Sequence, residues 1–474
     1  MNTERIPRRV LGTLLSSVSA GVVPRTGAPY IAIGRVDEIA SLTRDLDRVA
    51  EGEGATRFII GRYGSGKSFL IQLMRGYAAD HGFVTADCDL SPERRLSGTG
   101  GLSTYRELMR NLSCKASPDG GALPTIIGRW YSMAAERLAA RGITPASVSF
   151  ASAVTSEIIS DARSLEAGVG GFDFALVVSE YCKAYGEGDD GKMSACLRWL
   201  RGEFGNKTEA RAALSIRSLS VIDDLNWYDH LKLICALVRK VGYSGLCVFI
   251  DEGVNLYKIA NRISRESNYE KILSMYNDTM QGKAEGLMLV FGGTPQFLED
   301  TRRGLFSYEA LRSRLCDSRF VSGDGNSPLK SMMGPVIRLK RLSDAELLAL
   351  MIRLTALHGQ YHKWSPPVNS DDMTAFLKGS LSRAGADMMV TPREIIRDYV
   401  SLLDLLLQNP DRTYADIVGR VAEKSAAPTS TETFGGTPAA PASKSADAPA
   451  SANPPEKQDG GYTPRKITIN DIVF

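Results

Sequence analysis

Long hydrophobic runs are missing from this chain. No stretch of its 474 residues approaches the roughly 20 consecutive apolar side chains that a membrane-spanning helix needs. Ordered cysteine patterns are missing too. The 7 cysteines include no C-x-x-C pair, and several sit in apolar runs. They read as reduced core residues of a cytoplasmic protein, not as a disulfide frame or a thiolate metal site. Histidine is scarce, with 4 in all. His358 and His362 have helical i, i+4 spacing but no glutamate beside the first and no cysteine nearby, so a surface pair is expected. Charge of one sign is not in excess: the net charge is +3, and composition alone announces no nucleic acid. A guanine-reading N-K-x-D motif is also absent, which counts against a GTPase.

The N-terminus carries Arg5, Arg8 and Arg9 ahead of a mildly apolar run, Val10 to Val23. Glycines and serines interrupt that run, unlike the core of a signal peptide. Leu11, Leu14, Leu15 and Val18 instead recur at the spacing of an amphipathic helix.

What is present begins with a globular composition, 43% hydrophobic and 23% charged. That is enough for two or three domains and a sizeable core. The sharpest local signal is Gly61-Arg-Tyr-Gly-Ser-Gly-Lys-Ser68, which fits G-x-x-x-x-G-K-[ST]. Glycines at 61, 64 and 66 let the backbone turn tightly and aim N–H groups at phosphate oxygens. Ser65 lies within the loop. Lys67 reaches the β- and γ-phosphates, and the Ser68 hydroxyl suits Mg²⁺. A helix beginning with Phe69 and Leu70 turns its positive end toward the same phosphates. The apolar stretch Arg57–Ile60 supplies the strand that must precede such a loop.

The second signal is Leu246-Cys-Val-Phe-Ile-Asp-Glu252. An uninterrupted apolar run fits a strand buried on both faces of a parallel sheet. Asp251 at its end suits Mg²⁺, and the adjacent Glu252 suits activation of an attacking water. A third run, Leu287–Gly293, ends at Thr294. That threonine is placed either to touch the γ-phosphate and the water or to cap a helix before Pro295. Further strands are read at Gly82–Asp87 and Pro335–Leu339, and a strand-like start at Ile31 turning at Gly34 into a helix. Asp87 and Asp89 either join the ligand groups at the sheet's end or cap the next element. Between about residues 103 and 240 the pattern is helical. Trp130, Trp199 and Trp227 read as core anchors there. A capping-box-like Ser343…Glu346 pair opens another helical stretch. Within it, Pro392 suits a first helical turn, with Arg393 behind it.

The chain is therefore divided as follows. Residues 1–30 form an N-terminal helix and linker, and 31–340 an α/β core with a helical insert at about 103–240. Residues 341–422 form a helical lid. Residues 423–465, rich in Ala, Pro, Ser and Thr, read as a disordered linker. Residues 466–474, ending in Phe474, read as a docking peptide or as a strand packing back on its own domain.

In this order the motifs resemble an AAA+ ATPase of the initiator, origin-recognition branch. The resemblance implies a P-loop AAA+ core with a parallel sheet and an all-helical C-terminal lid. Gly34-Arg-Val-Asp-Glu38 is similar to that branch's motif beside the adenine, which implies roles for Gly34 and Arg35. Thr294 corresponds to sensor 1, Ser313-Arg314-Leu315 to the box with the arginine finger, and Arg393 in Thr391-Pro-Arg-Glu to sensor 2. More narrowly, the P-loop, Asp87–Arg95, Trp199-Leu-Arg-Gly-Glu203 and Gly242-Tyr-Ser-Gly245 resemble bacterial anti-phage defence ATPases. These are the ATP-binding proteins of BREX systems and the related Shango ATPase. That implies ATP and Mg²⁺ as cofactors, a homo-oligomer, a helicase and a TerB-like protein as partners, and contact with DNA. The resulting expectation is an ATP-driven oligomeric switch. A nucleotide-gated scaffold with little hydrolysis is the other reading, and Arg312 and Arg302/Arg303 are the alternative fingers.

Overall fold

The computed structural model describes residues 6–144, 150–165, 168–317, 332–383 and 391–418. The proposed linker at 423–465 and docking peptide at 466–474 lie outside the described residues. Five strands form one sheet: β1 (Ala55–Gly61), β2 (Val84–Asp89), β3 (Leu246–Asp251), β4 (Leu287–Gly293) and β5 (Val336–Leu339). Their order is β2-β3-β4-β1-β5 and all pairings are parallel. Every residue of β1, β3 and β4 is buried; most are apolar, and in β1 the buried Thr56 and Arg57 are bonded to Thr279 and Asp45. Phe58 and Phe291 stack across the β1–β4 pair with centroids 5.2 Å apart.

One expected strand is corrected. The apolar start at Ile31 is no strand: Ala28–Ile31 is a 3₁₀ turn, and the helix Val36–Ala50 follows. Pro29 has no N–H for a ladder and fits the first turn of a short helix better.

The insert is helical, as read. Its helices include Gly101–Arg110, Leu123–Ala140, Gly171–Glu187 and Trp227–Lys240. Trp130, Trp199 and Trp227 are almost wholly buried among them, each indole N–H donating to an oxygen of Asp161, Ser220 or Leu96. The insert's apolar residues continue into one face of the sheet as a single cluster. The opposite face is closed by Val36–Ala50 and the P-loop helix Lys67–Asp80.

A third cluster holds the C-terminal helices Asp344–His362, Ser370–Arg383 and Pro392–Gln408. The N-terminal helix Arg8–Ser19 joins it. Leu11, Leu14, Leu15 and Val18, the residues that marked its amphipathic face, pack there. Six cysteines are buried, and Cys316 is exposed.

The His358/His362 pair is not a surface pair. His362 is exposed, but His358 is buried. The Trp364 indole N–H donates to His358 Nδ1 at 3.0 Å, and His358 Nε2 lies 3.1 Å from Asp404 Oδ1. An indole only donates, so Nδ1 carries the lone pair and Nε2–H donates to Asp404. Burial, outweighing the Asp404 hydrogen bond and helped by His362, lowers the His358 pKa. Buried His230 is lowered in the same way. Burial favours the neutral form of both rings in the fold, and unfolding in mild acid adds protons to them. Their stabilisation is complete above about pH 6.5 and fades as pH falls below it. Thermal melts should lose stability as pH falls below about 6.5. His358→Leu should flatten that slope and cost about 1–3 kcal/mol, because the Trp364 N–H is left without a partner. An unchanged slope would show that His358 is not one of the titrating groups.

Candidate nucleotide site

The site is assembled at the C-terminal ends of the parallel strands, where an open sheet gathers its ligand groups. β1 leads into Gly61–Ser68. Gly64 and Gly66 have φ of 76° and 86°, a left-handed conformation that only glycine adopts freely. The helix then starts at Lys67 and points its N-terminus at the loop. The Lys67 ammonium donates to the carbonyls of Gly61 and Arg62 at 3.0 and 3.3 Å. Desolvation lowers its pKa, against the pull of Asp251 and Glu252. An anion at the loop would restore the favourable field that burial removes.

Two strands away, β3 ends at Asp251. The Ser68 hydroxyl donates to Asp251 Oδ2 at 2.9 Å, and the Glu252 N–H donates to Asp251 Oδ1 at 2.7 Å. This brings together the two residues expected to hold a cation, which the sequence separates by 183 positions. A hydroxyl and a carboxylate are hard oxygen donors suited to Mg²⁺, and they already meet in one place. Gly292 on β4 makes the approach feasible. A Cβ there would sit 2.2 Å from Asp251 Oδ1. The sequence reading passed over Gly292, whose only signal was a small residue inside an otherwise bulky strand.

Glu252 is exposed and has φ 58°, an unusual backbone for a non-glycine residue. That conformation turns the chain off the end of β3 beside the loop. Asp89 lies opposite Asp251 in the β2–β3 register. Desolvation and the Asp251 and Glu252 carboxylates raise its pKa. Asp87 has a different job. Its carboxylate pairs with Arg75 at 3.0 Å, tying β2 to the P-loop helix.

The remaining expected residues fall as follows. Thr294 N-caps the helix Pro295–Glu299, accepting from the Phe297 N–H. Phe69 packs in the seam between the sheet's helical face and the C-terminal helices. Thr391 and Pro392, opening the helix that carries Arg393, lie against Gly64. Arg393 is exposed there, its stem near Gly21. Arg314 and Arg312 are exposed on the helix Glu309–Leu315. Arg314 donates to Asn277 and to the Ala310 carbonyl. Arg303 donates to the carbonyls of Tyr257, Lys258 and Ile259. Gly34 sits beside Glu346, and Arg35 is buried with its guanidinium on the P-loop backbone.

Residues 6–422 match the family described as BREX system ATP-binding protein BrxC/D. The chain belongs to that family. No curated protein matches it. Membership in the BREX ATP-binding family carries ATP binding and a role in phage defence. No described helix is long and apolar enough to cross a membrane.

A left-handed glutamate costs about 1–3 kcal/mol, and glycine at such a position does not. Glu252→Gly should therefore raise the melting midpoint, by the equivalent of about 1 kcal/mol. A midpoint that falls would mean the Glu252 side chain contributes more to the fold than its backbone costs.

Proposed function

We propose that this chain is a Mg²⁺-dependent ATPase that acts as an oligomeric switch in a phage-defence complex, working on DNA with a helicase and a TerB-like partner. The observation that carries the reading is the Ser68–Asp251 hydrogen bond at 2.9 Å, with Lys67 near enough to be drawn by both Asp251 and Glu252. ATP binding alone needs the loop and its lysine. A hydroxyl and a carboxylate converging beside a second, exposed carboxylate suit phosphoryl transfer to water.

In this mechanism the P-loop amides and Lys67 hold the phosphates. Ser68 and Asp251 would hold Mg²⁺, which neutralises phosphate charge when bound. Glu252, exposed at the end of β3, accepts the proton of the attacking water. Thr294 keeps a hydroxyl hydrogen free while it caps its helix, so it can donate toward the same water. Arg393 follows Thr391 and Pro392, which abut the loop, and would serve the phosphates from the lid side. Arg314 stands on an exposed helix, available to a neighbouring subunit's phosphates. An arginine supplied across an interface is worth on the order of 10³–10⁵ in rate.

Two outcomes test the chemistry. Glu252→Gln should bind ATP with unchanged affinity in titration calorimetry and turn it over at least about 100-fold more slowly. Wild-type turnover in that variant would remove Glu252 from the mechanism. For the interface, Arg314→Ala and Lys67→Ala proteins should each be inactive and should regain hydrolysis when mixed. An interface that sets the loop of an Arg314→Ala subunit against the finger of a Lys67→Ala subunit then has both parts intact. If mixing restores nothing, the finger lies elsewhere, with Arg312 the next residue to replace.

A further inference from the structure

Arg35 lies in the segment similar to the motif beside the adenine, and its hydrogen bonds run to the protein itself. It is buried in the turn before the helix Val36–Ala50. One terminal nitrogen, Nη2, donates to the Ser65 carbonyl at 2.8 Å and to the Lys340 carbonyl at 2.7 Å. The other, Nη1, donates to Glu38 Oε1 at 3.2 Å. Ser65 is in the P-loop. Lys340 follows the last residue of β5 and precedes the C-terminal helices.

The geometry points to Arg35 as a positioning residue that sets the phosphate loop and fastens it to the root of the C-terminal helices. A trans peptide places its C=O and the next N–H on opposite sides. Drawing the Ser65 carbonyl toward the guanidinium therefore turns the Gly66 N–H away from it, and a phosphate loop needs that N–H facing an anion and not a cation. Gly66, at φ 86°, has no side chain to resist the alternative rotation, so an outside hold is required. Glu38 neutralises the buried guanidinium, which therefore offers little field to the nucleotide. The same nitrogen holds Lys340, so a shift at the base of the C-terminal helices reaches the peptide 65–66 through one group. The segment is anchored to those helices a second time, where Arg353 Nε donates to the Tyr30 carbonyl at 3.0 Å.

This inference rests on the P-loop being the ATP site, and its test separates the two. Calorimetric titration would measure binding of Mg-ATP and of inorganic tripolyphosphate to wild type, Arg35→Met and Arg35→Lys. A positioning role predicts that Arg35→Met weakens both ligands by the same factor, about ten-fold, as expected for loss of a charge-assisted hydrogen bond. Arg35→Lys keeps the charge but lacks the planar fork, so it should remain weakened. It also serves as the test protein if Arg35→Met does not fold. Loss of ATP affinity with tripolyphosphate unchanged would place Arg35 on the base or ribose and overturn the proposal, as would full recovery with lysine. Wild-type protein binding both ligands while Arg35→Met binds them equally well would overturn the positioning role alone. Wild-type protein binding neither would overturn the ATP site and the positioning role together.

Discussion

A sheet whose central strands are apolar on both faces can carry polar groups only at its ends. β1, β3 and β4 are buried along their whole lengths, and Gly61–Ser68, Asp251 and Thr294 stand at or just beyond their C-terminal ends. Parallel pairing puts those ends on one edge. The register that sets Ile60 opposite Gly293 and Asp89 opposite Asp251 is thus what makes a site from segments far apart in sequence. The site's chemistry follows from hydrophobic burial before any nucleotide is considered.

The parts of this arrangement that depend on local pattern were legible in the sequence. The loop has its glycines because its φ values demand them. The strands show as apolar runs because both faces are covered. The amphipathic helix at residues 8–19 shows in the spacing of four side chains. What lay beyond reach depends on contacts between distant segments. Nothing near Arg35 says that its hydrogens go to Ser65 and Lys340, and nothing near Leu11 names the helices it packs on. His358 looked like half of a surface pair because spacing on a helix does not say which turn faces inward. Ile31–Ile33 looked like a strand because three apolar positions fit a short strand and a tight turn equally well.

The arginines divide by what surrounds them. Arg35 is buried and committed to backbone carbonyls. Arg303 caps the turn Tyr257–Ile259, a few residues beyond β3. Arg314 and Arg312 lie on an exposed helix, and among the described residues Arg314 bonds to an amide oxygen and a carbonyl of its own turn. A guanidinium held by neutral partners at a surface keeps most of its charge available, and one paired with a carboxylate does not. That contrast, more than position in a motif, marks which arginines can act on a neighbouring molecule.

The helix Arg8–Ser19 shares its apolar cluster with helices that begin at Asp344 and end at Gln408. During synthesis, which adds about 5–20 residues each second, that helix leaves the ribosome long before the residues it packs on exist. It must wait with Leu11, Leu14 and Leu15 uncovered while the sheet and insert form. Its docking is a late step of high contact order, slow by the entropy of the loop it closes. The newborn chain therefore passes through a stage with a finished sheet, an unfinished helical bundle and a sticky amphipathic segment, the stage at which it is most open to chaperones and to self-association.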